Sequence, residues 1–228
     1  MHHFDAIVRE LRFSHGASTA RIKCAPAAIP VPGQYVMAWS PMDLDAPLAI
    51  PLFASQIEPD GFLTAPPVPR TWEPGSILEL RGPLGRGFDI PSSTRRLVVV
   101  SLEDTFDRLI PVIHQALEQD IAVTFFSSLP VRDFPTEVEI YPLQELAAAL
   151  PWADLIIFDL ALDDLFQLRK LLHMSPEDHL PCPAQALIVT KIICGGLAEC
   201  GACLVPKGRT YRLSCVDGPV FDLNDLTW

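Results

Sequence analysis

The hydrophobic pattern of this 228-residue chain changes near residue 95, and this change constrains the fold more than any other feature. Before residue 95, short segments such as DAIVRELRF and SILELRGP alternate apolar with polar residues and are separated by proline and glycine. Such alternation predicts half-buried antiparallel strands. We therefore predict a small antiparallel β-barrel over residues 1–94.

After residue 95, buried apolar runs alternate with helical patterns. RRLVVVSL, ADLIIFDL and AQALIVTKI are typical of buried strands, whereas TFDRLIPVIHQALEQ and DDLFQLRKLLHM are typical of helices. Strands that alternate with helices predict a parallel sheet covered on both faces. The predicted fold class is therefore α/β plus β, with a nucleotide-type α/β domain over 95–184 and a C-terminal module over 185–228.

Four of the six cysteines lie close together near the end of the chain. Their spacing is C-x5-C-x2-C-x11-C, with glycine and alanine between the first three; they are Cys194, Cys200, Cys203 and Cys215. Plant-type [2Fe–2S] proteins use C-x4-C-x2-C and a distant fourth cysteine, so one extra residue separates the patterns. Structural zinc sites usually have two close cysteine pairs, and this chain has one. The spacing favours a [2Fe–2S] cluster and leaves zinc as the alternative.

Composition excludes several classes of function. The formal charge of −11 argues against binding to nucleic acid, which requires Lys and Arg against phosphates. No apolar run reaches the 18 or more residues of a membrane span, and the N-terminus lacks the apolar segment of a secretory signal. Clustered cysteines in such a protein indicate metal binding in a reducing compartment. We expect a cytoplasmic protein without a membrane partner.

The motifs CGGLAECGACLVP, RLSCVDGPVFDLNDL, GPLGRGFDIP and PGQYVMAW carry a family resemblance. They resemble the electron-transfer subunit of the two-subunit, NAD-linked dihydroorotate dehydrogenases, in the ferredoxin-reductase superfamily. The resemblance covers the whole chain, as a flavin-type barrel, a nucleotide domain and a C-terminal [2Fe–2S] module. It implies that the four clustered cysteines ligate the cluster. It also implies that electrons pass from the FMN of a catalytic subunit through the cluster and FAD to NAD.

The sequence departs from this family at the expected flavin site. Where the family has Arg-Pro-x-Ser on a barrel strand, this chain has Ile50, Pro51, Leu52 and Phe53. Where a glycine-rich segment would meet the FAD pyrophosphate, PPVPRTWEPG offers only two candidates and several prolines, which have no N–H to donate. The candidate FAD-binding residues are Pro51, Leu52, Phe53, Arg70 and Thr71. The Arg that the family has on the barrel strand is replaced by Ile50.

The nicotinamide site departs further. After the strand LVVVS, a glycine-rich turn is expected, but the chain has Leu102, Glu103 and Asp104. The family's Cys-Gly-Pro turn after LIIF is replaced by DLALDD. Side chains block the approach of a dinucleotide and carboxylates repel its phosphates, so we predict that NAD(P) does not bind. We interpret Glu103 and Asp104 as charges at a helix N-terminus.

No residue is predicted to be catalytic. His114 and His173 lie on predicted helices and are interpreted as surface or core residues, and Cys24 and Cys182 as small apolar fillers. No Ser-His-Asp order, H-E-x-x-H motif or P-loop is present.

Two functions therefore remain. The first is an electron-transfer subunit that binds a dihydroorotate-dehydrogenase-like flavoprotein catalytic subunit in a hetero-oligomer. The alternative is a non-redox scaffold that holds zinc or a structural cluster. The tail VDGPVFDLNDLTW is rich in apolar residues, which are typical of interface cores. We predict that Phe221 and Trp228 contribute, with the cysteine loop, to an interface with the flavoprotein.

Overall fold

The first part of the chain forms a closed barrel of six antiparallel strands, in a computed structural model that describes residues 3–14, 17–45, 47–131, 134–175 and 178–228. Its strands are β1 (His3–Ser14), β2 (Ala17–Cys24), β3 (Tyr35–Trp39), β4 (Ile50–Glu58), β5 (Gly61–Thr64) and β6 (Ile77–Leu84), in the order β1-β2-β5-β4-β3-β6. Alternate residues of β2 point into the barrel, where Ala20 and Ile22 are fully buried. The alternating pattern therefore predicted the barrel correctly.

The second part is a six-stranded sheet, to which the C-terminal residues add the sixth strand. Its elements are β7 (Arg96–Ser101), α1 (Ile110–Glu118), β8 (Ala122–Ser127), β9 (Glu139–Pro142), α2 (Leu146–Ala149), β10 (Leu155–Ala161), α3 (Leu162–Leu165), α4 (Leu168–Leu171) and β11 (Ala184–Val189). Helix α1 packs on the face that carries Leu97 and Val99, whereas α2, α3 and α4 pack on the face that carries Val98 and Val100. Both faces are covered, as predicted for a parallel sheet.

Two local features differ from the predicted pattern. The helix predicted over 163–174 is divided into α3 and α4, because the N–H of Gln167 donates to the carbonyl of Asp164, which tightens the turn between them. Strand β9 was not predicted, because it lies at the sheet edge with all four residues exposed and has no apolar alternation to reveal it.

The C-terminal residues form a hairpin and then rejoin the sheet. The elements are β12 (Leu204–Lys207), β13 (Thr210–Leu213), α5 (Ser214–Asp217) and β14 (Val220–Asp222). Strand β14 pairs antiparallel with β11 and becomes the outermost strand of the six, in the order β14-β11-β10-β7-β8-β9. The predicted boundaries at residues 94 and 184 stay predictions, although β14 shares its sheet with the α/β part.

The predicted role of the tail as an exposed interface is wrong. Phe221 is only 7% exposed and Leu223 is fully buried, because both fill the apolar layer on one face of the sheet. The indole N–H of Trp228 donates to the carbonyl of Leu223 at 3.0 Å, and the Arg169 guanidinium lies 4.4 Å from the indole ring. The tail packs back onto the α/β part of the chain. None of the helices in the described ranges is both long and apolar enough to span a membrane.

Candidate iron–sulfur centre

Three of the four clustered cysteines lie on one loop, residues 190–203 between β11 and β12, which we call the cluster loop. Gly195 and Gly196 adopt φ of +64° and +79°, a region that side chains rarely occupy, and Ala198 follows at +63°. This run of left-handed residues turns the backbone around the Cys194 side chain. The backbone N–H groups of Glu199, Cys200 and Leu197 donate to its sulfur.

A hairpin brings the fourth cysteine to the third. Leu204 at the start of β12 pairs with Leu213 at the end of β13, and the N–H of Ser214 donates to the Cys203 carbonyl at 2.9 Å. Cys215 therefore lies beside Cys203, although eleven residues separate them in sequence. The gap holds two four-residue strands and their connections, and the sequence analysis did not predict this hairpin.

The four thiols form two pairs. Cys194 lies beside Cys200 and Cys215 beside Cys203, close enough for one thiol to shift the pKa of the other. No three described His, Cys, Asp or Glu side chains are gathered as ligands of a single metal ion. A [2Fe–2S] cluster takes four thiolates, and four thiols on one loop and its following hairpin fit that requirement. The ligand set Cys194, Cys200, Cys203 and Cys215 stays a prediction.

The two pairs lie in different environments. The backbone N–H of Glu199 and its neighbours lower the pKa of Cys194 to about 6, which favours the thiolate that metals bind. Burial and the neighbouring Cys203 thiol raise the pKa of Cys215 to about 12. Cys203 and Cys215 are only 1% and 2% exposed, whereas Cys200 is exposed. Cys203 and Cys215 would hold a cluster from the protein interior, and Cys200 from the surface.

The barrel supports the cluster loop from below. The Tyr35 hydroxyl, on β3, donates to the Cys215 carbonyl at 3.0 Å, and the Tyr35 side chain is fully buried. A Cβ atom on Gly196 would lie 3.1 Å from that hydroxyl and 3.2 Å from Nη2 of Arg81, on β6. Neither residue was predicted, because nothing in the local sequence of β3 or β6 indicates a contact with a loop more than 100 residues away.

The crevice where a dinucleotide would bind is occupied by side chains. In open α/β sheets, ligands bind beyond the carboxyl ends of the strands where the strand order reverses, here between β7 and β10. At this position the Arg108 guanidinium forms two hydrogen bonds with the Asp159 carboxylate, at 2.9 and 3.2 Å, and an ion pair with Glu103 at 3.2 Å. Glu103 thus binds Arg108 rather than capping a helix as predicted. Burial raises the pKa of Asp159 to about 6, although Arg108 opposes the rise, so this carboxyl is ionised at neutral pH.

The GPLGRGF loop, residues 82–88, uses its backbone donors internally. The N–H groups of Arg86 and Phe88 donate to the carbonyls of Gly218 and Pro32, and the next N–H, of Asp89, donates to the Gln185 side chain. A phosphate needs such free N–H groups or a cationic cluster. These three donors are bound within the chain and are not free for a phosphate, and their bonds join the barrel, the sheet and the C-terminal module.

The candidate FAD residues have separate environments. Leu52 is 1% exposed within the barrel core, while Phe53 packs against Tyr35 and lies 6.0 Å from the Arg108 guanidinium. Arg70 and Thr71 are exposed on the segment between β5 and β6, where the Thr71 hydroxyl binds the Asp43 carboxylate. The FAD assignment stays a prediction, and these contacts leave its ligand surface incomplete.

A cavity of about 960 Å³ lies between β4, β5 and helix α1. Its described lining includes the carboxylates of Asp107 and Glu118 and the imidazole of His114, with no Lys or Arg among them. The acidic lining would repel the phosphates of a nucleotide. His114 and His173 are exposed, while Cys24 lies in the barrel core, as the sequence predicted.

Comparison with known proteins agrees with these observations. Residues 190–227 match the family model of the iron–sulfur cluster binding domain of dihydroorotate dehydrogenase B. An NADH-dependent reduced ferredoxin-NADP oxidoreductase structure has a TM-score of 0.74 at 17% identity, over 97% of this chain and 89% of that one. The ferredoxin reductase in carbazole 1,9a-dioxygenase has a TM-score of 0.60 at 16% identity, over 76% and 66%. The FAD/NAD binding domain of a nitric oxide dioxygenase from Vibrio cholerae O1 biovar El Tor has 0.56 at 13%, over 82% and 99%. Comparison with curated protein sequences finds no match.

The described residues have the fold of the ferredoxin reductases, and they carry a segment similar to an iron–sulfur cluster binding domain at residues 190–227. That segment is similar to the domain of dihydroorotate dehydrogenase B in particular. The resemblance and the fold class predicted from the sequence are confirmed.

Proposed function

We propose that this chain is the electron-transfer subunit of a two-subunit oxidoreductase and that a [2Fe–2S] cluster is its redox centre. The observation that carries the proposal is the placement of four thiols together, Cys194 beside Cys200 and Cys203 beside Cys215, within residues 190–227 that match an iron–sulfur cluster binding domain. When bound, the cluster supplies one-electron storage. The chain's own residues hold the cluster, direct N–H groups at its sulfur ligands and leave the Cys200 side accessible.

Anaerobic purification tests the cluster assignment. We expect two irons and two acid-labile sulfides per chain and a visible spectrum that dithionite bleaches. Cys200→Ser should lower the iron content, whereas Cys182→Ser should leave it unchanged because Cys182 lies away from the loop and packs against the α/β core. One zinc per chain without sulfide would instead support the scaffold function.

We further propose that the partner is a dihydroorotate-dehydrogenase-like flavoprotein that binds over the cluster loop. The cluster loop, the start of β12 and helix α5 carry exposed apolar side chains, and such patches are typical of interfaces. The four are Ile193, Leu197, Leu204 and Val216, between 40% and 60% exposed. This surface replaces Phe221 and Trp228 as the expected contact. All six cysteines are free, which agrees with the proposed cytoplasmic location.

Co-expression tests the interface. Ile193→Glu combined with Leu197→Glu should prevent co-purification with such a flavoprotein, because the partner would have to bury two charges. Leu44→Glu is the matched control, since Leu44 is 86% exposed on the barrel segment between β3 and β4. Co-purification that survives the double substitution would place the interface elsewhere.

A further inference from the structure

A buried arginine of the barrel lies directly under the cluster loop. Arg81, on β6, is only 6% exposed. A Cβ atom on Gly195 would lie 3.5 Å from its Nη2, and one on Gly196 would lie 3.2 Å away. These two glycines follow Cys194, the first predicted cluster ligand, so the guanidinium contacts the backbone beside that ligand.

Arg81 shares one buried environment with several ligand cysteines. Tyr35, whose hydroxyl lies close to Gly196, has its pKa raised by burial and by the nearby Cys215 and Cys203, whereas Arg81 lowers it. All of these groups are therefore within electrostatic range of one another. A guanidinium keeps its positive charge throughout the physiological pH range. The lower side of the cluster loop consequently carries a fixed positive charge.

We propose that the positive charge of Arg81 raises the reduction potential of the cluster. A [2Fe–2S] cluster with four thiolates has a net negative charge, and reduction adds one electron without a proton. A nearby cation in a buried environment therefore stabilises the reduced form more than the oxidised form. In the protein the electron would come from the flavin of the partner, and in the test it comes from dithionite.

Three substitutions separate charge from packing. Arg81→Lys keeps the charge, Arg81→Met removes it with similar side-chain length, and Tyr35→Phe removes the hydrogen bond to Cys215 without changing charge. Arg212→Met is a control, because Arg212 is exposed on β13 close to Cys215 in sequence and solvent screens its charge.

The measurement is an anaerobic redox titration followed by visible absorption and electron paramagnetic resonance. We expect Arg81→Met to lower the equilibrium constant for one-electron reduction of the cluster at least tenfold, which corresponds to a reduction potential about 59 mV lower. Arg81→Lys, Tyr35→Phe and Arg212→Met should remain near the wild-type potential. An unchanged potential in Arg81→Met, or an equal loss in Arg81→Lys, would overturn the proposal.

This inference rests on the proposed cluster, and the same samples separate the two claims. Wild-type protein without iron and sulfide would refute the proposed function. Wild-type protein with a cluster whose potential does not respond to Arg81 would refute only the present inference. If Arg81→Met cannot hold a cluster, Arg81→Gln provides the neutral comparison. Loss of the cluster in Met, Gln and Lys variants alike would show that Arg81 serves folding, and the electrostatic role would be rejected.

Discussion

Removal of the Arg108 side chain should destabilise the protein in a way that depends on pH. Arg108 is 8% exposed and holds the fully buried Asp159 carboxylate through two hydrogen bonds. Breaking a buried ion pair by removal of one partner costs about 3–5 kcal/mol, because the remaining charge is left without compensation. For a chain of this length, each kcal/mol lowers the melting temperature by about 2–4 °C, so Arg108→Met should lower it by about 6–20 °C at neutral pH.

The sign of the pH effect follows from the raised pKa of Asp159. A carboxyl whose folded pKa exceeds its unfolded value contributes stability below the unfolded value, and this contribution is lost as pH rises through the folded pKa. In the wild-type protein the loss runs from the ordinary value of 3.8 to about 6. Without Arg108, which lowers the pKa of Asp159, the loss should continue above pH 6. The variant then loses about 1.4 kcal/mol per pH unit relative to wild type until it reaches its new pKa.

The assay is the melting temperature by circular dichroism at about pH 5, 7 and 8.5. We expect the difference between wild type and Arg108→Met to be smaller at about pH 5 than at pH 7 by about 1.4 kcal/mol, because the added loss begins above the wild-type pKa of about 6, and to be larger still at pH 8.5. Arg96→Met is the control, because the Arg96 side chain is 44% exposed and its pair with Asp154 should contribute at most about 1 kcal/mol. Equal destabilisation by the two variants, or a difference that does not change with pH, would refute the reasoning.

Three further predictions concern the loop, the tail and the nucleotide. Gly196→Ala should reduce cluster retention more than Gly208→Ala, because both have positive φ but only the Cβ at Gly196 meets buried atoms, and iron content after gel filtration compares them. Deletion of residues 219–228 should lower the melting temperature by more than about 10 °C, because it removes β14 and buried apolar side chains, and each kcal/mol lost lowers it by about 2–4 °C. An unchanged melting temperature would contradict the pairing of β14 with the sheet. Titration calorimetry with NADH should show no binding tighter than the high-micromolar range, and a micromolar dissociation constant would contradict the occupied crevice.

Much of the architecture could be predicted because burial imposes a period on the sequence. The alternation in β2 and the apolar run of β10 each follow from which faces are covered. The edge strand β9 could not be predicted, because exposed residues carry no such pattern. The tail was misinterpreted for a related reason: apolar residues indicate burial, but the sequence alone does not show whether a sheet edge or another protein covers them.

The site shows the same division. The spacing of the cysteines predicted their grouping, since short gaps between ligands are local information. Contacts made across the fold, from Tyr35 to Cys215 and from Arg108 to Asp159, join residues 180 and 51 positions apart. Such pairs depend on how the barrel and sheet are placed, and no local pattern specifies them. The lack of glycines in the turn after β7 was nevertheless informative, because Glu103 in that turn forms an ion pair with Arg108.

The pairing of β11 with β14 has a consequence for how the cluster is acquired. Leu187 pairs with Val220, and the N–H of Ile188 donates to the carbonyl of Pro219, so the ends of the segment that carries all four ligands are joined by the sheet itself. The entropic cost of bringing the ends of this segment together is therefore offset by folding of the sheet, before any iron binds. We expect the apoprotein to fold first and to present preorganised thiols, with metallation as a later step that enters from the exposed Cys200 side.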